Sequence, residues 1–317
     1  MLVSICIITY QRPQGLQRLL EKLAKLTFDK VTQPNIEVIV VDNDTSGIAK
    51  SVCSTIKSDF PWLLKTDVQP QRGITYARNK SVSLASKETD FVAILDDDEV
   101  PEEFWLDELL FVQKEYDADV VTGPVLPHFQ SANPPHWLIK GGFFELSRDP
   151  TGTQRQVAFT NNVLIRGNIL RQFNPVFDNR FAITGGEDSQ FFMKLHKNNY
   201  KIVWANDAIV HDWIPETRTN AKWILRRGYW SRGIYSSIEK ELYPSIKVQL
   251  VRFMKGVALI LIGLLTFLPG LFLGKSGVVK ALLSIYRGIG TVTGLMGIIY
   301  QEYEVTNQGN KELSFSE

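Results

Sequence analysis

The chain has 317 residues, 44% of them hydrophobic and 22% charged, with Lys+Arg 35 against Asp+Glu 34. These values exclude a disordered chain and one that is basic throughout, and two cysteines without CxxC or Cys/His spacing exclude a disulfide framework or a zinc finger. The N-terminal MLVSICIITYQRP lacks a basic region and its apolar run is too short for a secretory leader, so catalysis is expected in the cytosol.

Residues 2–8 are a β-branched run suited to a buried strand, and 14–26 place Leu16, Leu19, Leu20 and Leu23 on one helical face. The pattern then predicts a strand at 36–41 ending at Asp42, a helix at 48–57 and a short strand at 63–68. A helix at 74–86 and a strand at 91–95 running into Asp96 follow. Strands without apolar alternation, separated by helices, predict an α/β fold whose mainly parallel sheet is covered on both faces. Ligands of such sheets bind beyond the carboxyl ends of the strands. Thr9, Asp42 and Asp96 each directly follow a strand, so they are expected to converge on one edge.

From 120 to 159 prolines and glycines loosen the pattern, and His136, Trp137, Phe143 and Phe144 suggest an aromatic acceptor wall. Strands are expected again at 162–166, 202–204 and 208–210, with a helix at 189–198. The C-terminal part differs in character. Residues 218–255 hold nine Lys/Arg and two acids, leaving −6 on the remainder of a +1 chain, and aromatic residues are interleaved. Nineteen uncharged residues follow at 256–274, close to the roughly 20 that a membrane span needs. A second apolar stretch, 278–300, is interrupted by Lys280 and Arg287.

The sharpest feature is FVAILDDDEVP at 91–101, where a buried strand delivers Asp96, Asp97, Asp98 and Glu99 to one turn. Four clustered carboxylates repel one another and call for a cation. Oxygen ligands suit Mg²⁺ or Mn²⁺ bridging substrate phosphates; the competing reading is a solvated turn with helix-capping acids. Here the sequence resembles the family 2 glycosyltransferases over about residues 1–212. The matching segments are VSICIITYQRP (3–13), VIVVDND (38–44), RGITYARN (72–79), ILDDDE (94–99) and GGED (185–188), in this order and spacing. The resemblance is strongest to bacterial transferases that build exopolysaccharide or lipopolysaccharide repeat units. It implies the GT-A fold and transfer of a sugar from a nucleotide diphosphate donor with inversion at the anomeric carbon.

The resemblance also implies roles for single residues. Thr9 and Tyr10 line the nucleotide pocket and Asp42 reads the nucleotide, with Asp44 beside it. From the residues themselves, Tyr10 can stack on a base and Arg12 can reach a phosphate. Asn43 and Asp44 can equally form a simple Asx turn. Arg78 and Asn79 are placed near the donor, a guanidinium suiting a diphosphate oxygen; Arg72 is a second candidate for that contact, set against its reading as an exposed surface arginine, which is favoured. Asp96 and Asp97 are expected on the nucleotide sugar, and Asp98 and Asp96 on the metal. His211 is a third candidate metal ligand, balanced against a structural histidine. Asp188, at a helix start after two glycines, is by resemblance the base that takes the acceptor hydroxyl proton, with Glu187 orienting the acceptor; an acidic N-terminal cap is the alternative.

Four segments are therefore expected: a GT-A catalytic domain at 1–215, a basic aromatic interfacial segment at 216–255, a membrane hairpin or re-entrant pair at 256–300, and a polar tail at 301–317. Lys275 and Lys280 between the apolar stretches oppose two clean spans and favour a pair dipping into the cytoplasmic leaflet. The expected partners are a nucleotide sugar, a polyprenyl-linked glycan acceptor and the membrane surface. Nucleic acid is not expected, because the basic stretch carries no binding motif. The expected location is membrane-associated with a cytoplasmic catalytic domain, at the inner membrane in a bacterium. A processive synthase is disfavoured, since RRGYW at 226–230 is not its Gln-x-x-Arg-Trp motif. A nucleotidyltransferase would need a Gly-rich loop after the first strand, and a non-catalytic scaffold would not need Asp96, Asp98 and Asp188.

Overall fold

The computed structural model describes residues 1–145 and 148–302. Most of the expected polar tail, from 303 on, lies outside the described residues. The first half alternates β1 (Leu2–Thr9), α1 (Pro13–Leu23), β2 (Asn35–Asp42), α2 (Ile48–Ile56), β3 (Leu63–Val68), α3 (Ile74–Ser83) and β4 (Phe91–Asp96). A short β5 (Glu99–Pro101) leads into α4 (Trp105–Tyr116), followed by β6 (Val120–Thr122), β7 (Val125–Phe129), α5 (His136–Gly141) and β8 (Gln154–Arg155). Then come β9 (Val163–Arg166), α6 (Gly167–Leu170), α7 (Glu187–Lys197), β10 (Ile202–Trp204) and β11 (Val210–Ile214). Three long helices finish the described chain: α8 (Ala221–Leu242), α9 (Ile246–Phe272) and α10 (Lys275–Leu295).

Eight strands form the main sheet in the order β3-β2-β1-β4-β9-β6-β10-β8. The half containing β3, β2, β1 and β4 is parallel; β9 runs antiparallel between β4 and β6. Both faces of the parallel half are buried, as its unalternating apolar runs require. Val3, Ile5 and Ile7 of β1 pack with α1 and α4 on one side, and Cys6 packs toward Ala77, Phe191 and Phe192 on the other. Register brings the strand ends level: Thr9 lies opposite Asp42, and Ile8 opposite Asp96.

A second sheet, β5-β11-β7, pairs Asp212 with Glu99 and His211 with Val100. It gathers the turn after β4 and residues more than a hundred positions later. The sequence pattern predicted a strand ending at 210, whereas β11 begins there, because pairing with β5 and β7 supplies its hydrogen bonds.

The expected interfacial segment at 216–255 divides. Its larger part, α8, packs on the catalytic domain: Trp230 Nε1 donates to the Thr184 carbonyl at 2.7 Å, and Ile234, Ile238 and Leu242 join Phe181 and Met193 in one buried cluster. The aromatic side chains of 129–144 pack with Trp223, Ile224 and Val279 and so hold α8 and α10.

Gly186 decides how closely α7 approaches α8. Its φ is +91°, and a Cβ there would sit 2.2 Å from Ile234 Cγ2. Both the backbone conformation and the space require glycine. Gly186→Val should destabilise the protein by about 2 kcal/mol or more, from backbone strain and overpacking together. A urea midpoint unchanged from wild type would contradict this packing.

Candidate active site

The C-terminal strand ends open onto a cleft of about 560 Å³. Thr9, Tyr10, Asn43, Arg72 and Asp96 line it from the sheet side, and Asp212, Arg218, Trp223, Arg226 and Arg227 from the opposite side. Thr9 Oγ1 donates to Asp97 at 2.7 Å. Arg12 grips Asp97 at 2.8 Å and Asp98 at 2.9 Å, and Arg218 reaches the same Asp98 oxygen at 3.1 Å. Burial pushes the Asp97 carboxyl up to about 6, against the pull of Arg12. Arg72, expected on the open surface, lies with its guanidinium 3.3 Å from the centre of the Tyr10 ring. That flat cation–aromatic pair offers a stacking platform at the strand edge.

Asn43 ties this edge together. Its amide nitrogen donates to the carbonyls of Gln69 and Gln71, both at 2.8 Å, while its oxygen accepts from Gly73 N–H. Asp42 is buried, and its two oxygens accept from the N–H groups of Asp44 and Ala49. Asp44 accepts from the backbone N–H and hydroxyl of Ser46. Both acids thus order the turn into α2, and neither lines the cleft described above.

Arg78 is buried and holds two carboxylates: Asp96 at 2.6 Å, and Glu187 through its other terminal nitrogen. The residue expected on a diphosphate therefore bridges the end of β4 to the start of α7. Asn79 exchanges hydrogen bonds with the backbone N–H and carbonyl of Phe177, both at 2.8 Å, and so fixes the loop before α7. Glu187 is almost wholly buried against Arg78. Asp188, next to it, is half-buried and accepts from Ser189 N–H. Burial raises its pKa above the ordinary aspartate value, Asp96 adds to that, and Arg78 opposes it. A raised pKa makes this carboxylate a stronger base than an ordinary aspartate.

Asp98, Glu99 and Asp212 bring carboxylate oxygens within 4.8 Å of one another. Glu99 Oε2 and Asp212 Oδ1 are buried without a hydrogen-bond partner, the latter with the Arg218 guanidinium 3.8 Å away as a counter-charge. Desolvation and the neighbouring acids drive the Glu99 pKa well above its ordinary value and that of Asp212 to about 6. An all-oxygen set with orphaned, mutually repelling acceptors fits a hard divalent cation. His211 stands outside this cluster, its Nε2 lying 3.1 Å from Glu102. Adjacent strand residues face opposite sides, so pairing that turns Asp212 toward Glu99 turns His211 away.

The geometry combines a stacking platform and a candidate cation site at one sheet edge, and Arg78 ties that edge to Glu187 beside Asp188, neither of which lines the cleft itself. A family model described as glycosyl transferase family 2 matches residues 4–176, more than half of the chain, and a second, glycosyl transferase family group 2, matches 91–296. The chain belongs to glycosyltransferase family 2. The succinoglycan biosynthesis protein ExoM of Rhizobium meliloti is 29% identical over 229 residues, 72% of each chain. A glucosyl-dolichyl phosphate glucuronosyltransferase of Haloferax volcanii is 23% identical over 283 residues, 82% of this chain and 84% of that one. Among solved structures, mannosyltransferase PcManGT from Pyrobaculum calidifontis, in complex with GDP-Man and Mn²⁺, aligns with a TM-score of 0.62 at 16% identity, covering 93% of this chain and 86% of that one. S. aureus TarS 1–349 in complex with UDP aligns at 0.53 and 17% identity, over 95% and 93%. The fold is thus GT-A, and the chain is a glycosyltransferase of family 2.

Four cleft residues had no clear signal in the primary structure. Asp212 was hidden behind His211; Arg218, Arg226 and Arg227 sat inside a charge run read as membrane-facing. Strand alternation shows that residues 211 and 212 face opposite ways, but only the register with β5 shows which faces the acids.

Two predictions follow from the buried charges. Arg78→Met leaves Asp96 and Glu187 facing each other without their shared cation and should lower stability by about 3 kcal/mol, seen as a drop in thermal midpoint. Asp97 and Asp212 titrate near 6 when folded and near 3.8 when unfolded. The stability they contribute is complete below the unfolded value and is lost as pH rises through about 6. The melting temperature of metal-free enzyme should therefore be higher at about pH 5 than at about pH 7.5, and Mn²⁺ should raise it at the higher pH. A midpoint rising with pH, without metal, would contradict that balance.

Proposed function

We propose that this family 2 glycosyltransferase moves one sugar from a nucleotide diphosphate donor to a lipid-linked glycan acceptor, with inversion and with a divalent ion, Mn²⁺ or Mg²⁺. The observation carrying this reading is that Arg78 links Asp96, which lines the cleft at the end of β4, to Glu187, the neighbour of Asp188, which supports reading the acidic turn and the start of α7 as parts of one site. Supporting it, ExoM is named for succinoglycan biosynthesis, the Haloferax relative for a dolichyl phosphate substrate, and PcManGT was solved with GDP-Man and Mn²⁺. Exopolysaccharide or a related surface glycan is the product class this suggests.

In this reading Tyr10 and Arg72 stack against the base, Thr9 and Asn43 shape the nucleoside pocket, and Asp96 and Asp97 border the sugar diphosphate. Asp98, Glu99 and Asp212 would hold the ion. When bound, it would offset charge developing on the leaving diphosphate. Arg12, Arg218, Arg226 and Arg227 add cations on the same side and stabilise that charge electrostatically. Asp188 accepts the acceptor hydroxyl proton, helped by a raised pKa. Glu187 acts through Arg78 by fixing the turn that carries Asp188. Holding donor and acceptor in line in one cleft supplies the remaining advantage. The two apolar C-terminal helices support a position at a membrane, and in this reading the catalytic domain faces the cytoplasm.

Asp188→Asn should retain donor affinity and reduce transfer by at least about 100-fold, the usual contribution of a general base. Asp98→Ala should weaken donor binding only where Mn²⁺ is present. Titration calorimetry against a panel of nucleotide sugars, beside a transfer assay, reads both. Undiminished transfer by Asp188→Asn would remove the base assignment, and wild-type enzyme that neither binds nor hydrolyses any donor with Mn²⁺ would point to a scaffold.

A further inference from the structure

The exposed apolar surface is concentrated in one place. Among the described residues, thirteen exposed large apolar side chains lie between 246 and 273, against eight scattered over the first 245. Leu265 is 76% exposed, Leu268 67% and Phe272 92%, all along the outer side of α9. Both α9 and α10 are long and apolar enough to cross a bilayer. Their placement argues against crossing.

α10 is enclosed on two sides. Toward α9, close approach is set by Gly256, Gly263 and Gly270, where added Cβ atoms would fall 3.2, 2.6 and 2.9 Å from backbone carbonyls of α10. Toward α8, Gly290 and Gly294 sit against the Tyr229 and Gly233 carbonyls in the same way, at 2.2 and 2.1 Å. α8 runs along α10 and ties it to the α/β domain at both ends. At the hairpin tip, Lys275 Nζ lies 4.6 Å from the Trp137 ring of α5, and Val279 packs with Leu138 and Ile224. At the other end, Lys240 of α8 donates to the Leu295 carbonyl at 2.8 Å, and Glu241 pairs with Arg180 at 2.7 Å. A hairpin standing across the bilayer would drag α8, with Arg226, Arg227 and Arg232, and the irregular backbone around α5 into hydrocarbon. Charged side chains and unpaired backbone are both strongly disfavoured there.

We propose that α9 lies flat in one leaflet, its outer face sunk to the headgroup–acyl boundary, so that the protein is held in the membrane plane without spanning it. A helix of 27 residues is about 40 Å long, longer than the roughly 30 Å hydrocarbon core it would otherwise cross. The occupant of this face is an anionic lipid surface. Exposed Lys247 and Lys255 stand near one end of α9 and Lys275 and Lys280 near the other, and no acid occurs between Glu241 and Glu302. An apolar face bordered by lysines is the pattern of in-plane membrane helices. This inference rests on the membrane reading above and sharpens it from a dipping pair to a flat one.

Two measurements on the full chain test it. First, wild type should float with phosphatidylcholine vesicles containing phosphatidylglycerol and float less with phosphatidylcholine alone. Leu265→Asp/Leu268→Asp should lose flotation at least tenfold with unchanged donor hydrolysis and melting temperature. Second, Ser245→Cys and Lys275→Cys place thiols at the two ends of α9, over a low background because Cys6 and Cys53 are buried. In inside-out vesicles from expressing bacteria, a membrane-impermeant maleimide should label both. Protection of Lys275→Cys beside labelling of Ser245→Cys overturns the flat orientation and leaves the membrane reading standing. Wild type that never floats overturns both, and if it also sediments as a dimer, a second copy covers α9 instead.

Discussion

Mutual repulsion among carboxylates is the constraint on which this molecule is built. β4 carries Asp96 to the sheet edge, the next turn adds Asp97, Asp98 and Glu99, and β11 brings Asp212 beside them. Left alone in a partly dry cleft, such a group would protonate or unfold. The surrounding structure answers with cations from distant parts of the chain: Arg12 after β1, Arg78 on α3 and Arg218 just before α8. Each arginine also couples one element to another, so the electrostatics of the site and the assembly of the domain are one problem. The oxygens of Glu99 and Asp212 that remain without a hydrogen-bond donor mark where that compensation is incomplete. That deficit is what a divalent cation would offset.

α8 joins the two halves of the protein. Its inner side supplies Trp223, Arg226 and Arg227 to the cleft, while its outer side seats the glycine-rich surface of α10. Because side chains of one helix serve both surfaces, the distance and orientation of the cleft relative to the apolar face of α9 are fixed by packing. A flexible tether would leave them free. Under the proposed reading, in which the acceptor is lipid-linked, such rigidity would hold the cleft at one distance from the lipid surface.

The parallel half of the fold was legible in the order of residues, because strands buried on both faces leave continuous apolar runs ending in polar residues. Asp96, Asp98 and Asp188 stood out as candidates for a similar reason: acids at the end of a buried strand, or just after two glycines, break the local pattern. Asp42, Asn79 and Arg78 look identical in sequence whether they meet substrate or protein. Only the folded chain shows their carboxylate, amide and guanidinium groups engaged by Ala49, Phe177, Asp96 and Glu187.

The sequence by itself determined the α/β alternation, the acidic turn and the presence of an apolar C-terminal pair, since each is a property of consecutive residues. The tertiary structure alone decided that Asp212 faces Glu99 while His211 faces Glu102, that Arg72 covers Tyr10, and that α10 is flanked by α9 and α8. Those outcomes depend on strand register and helix docking between segments tens to over a hundred positions apart, and such pairings leave no periodic trace in the chain.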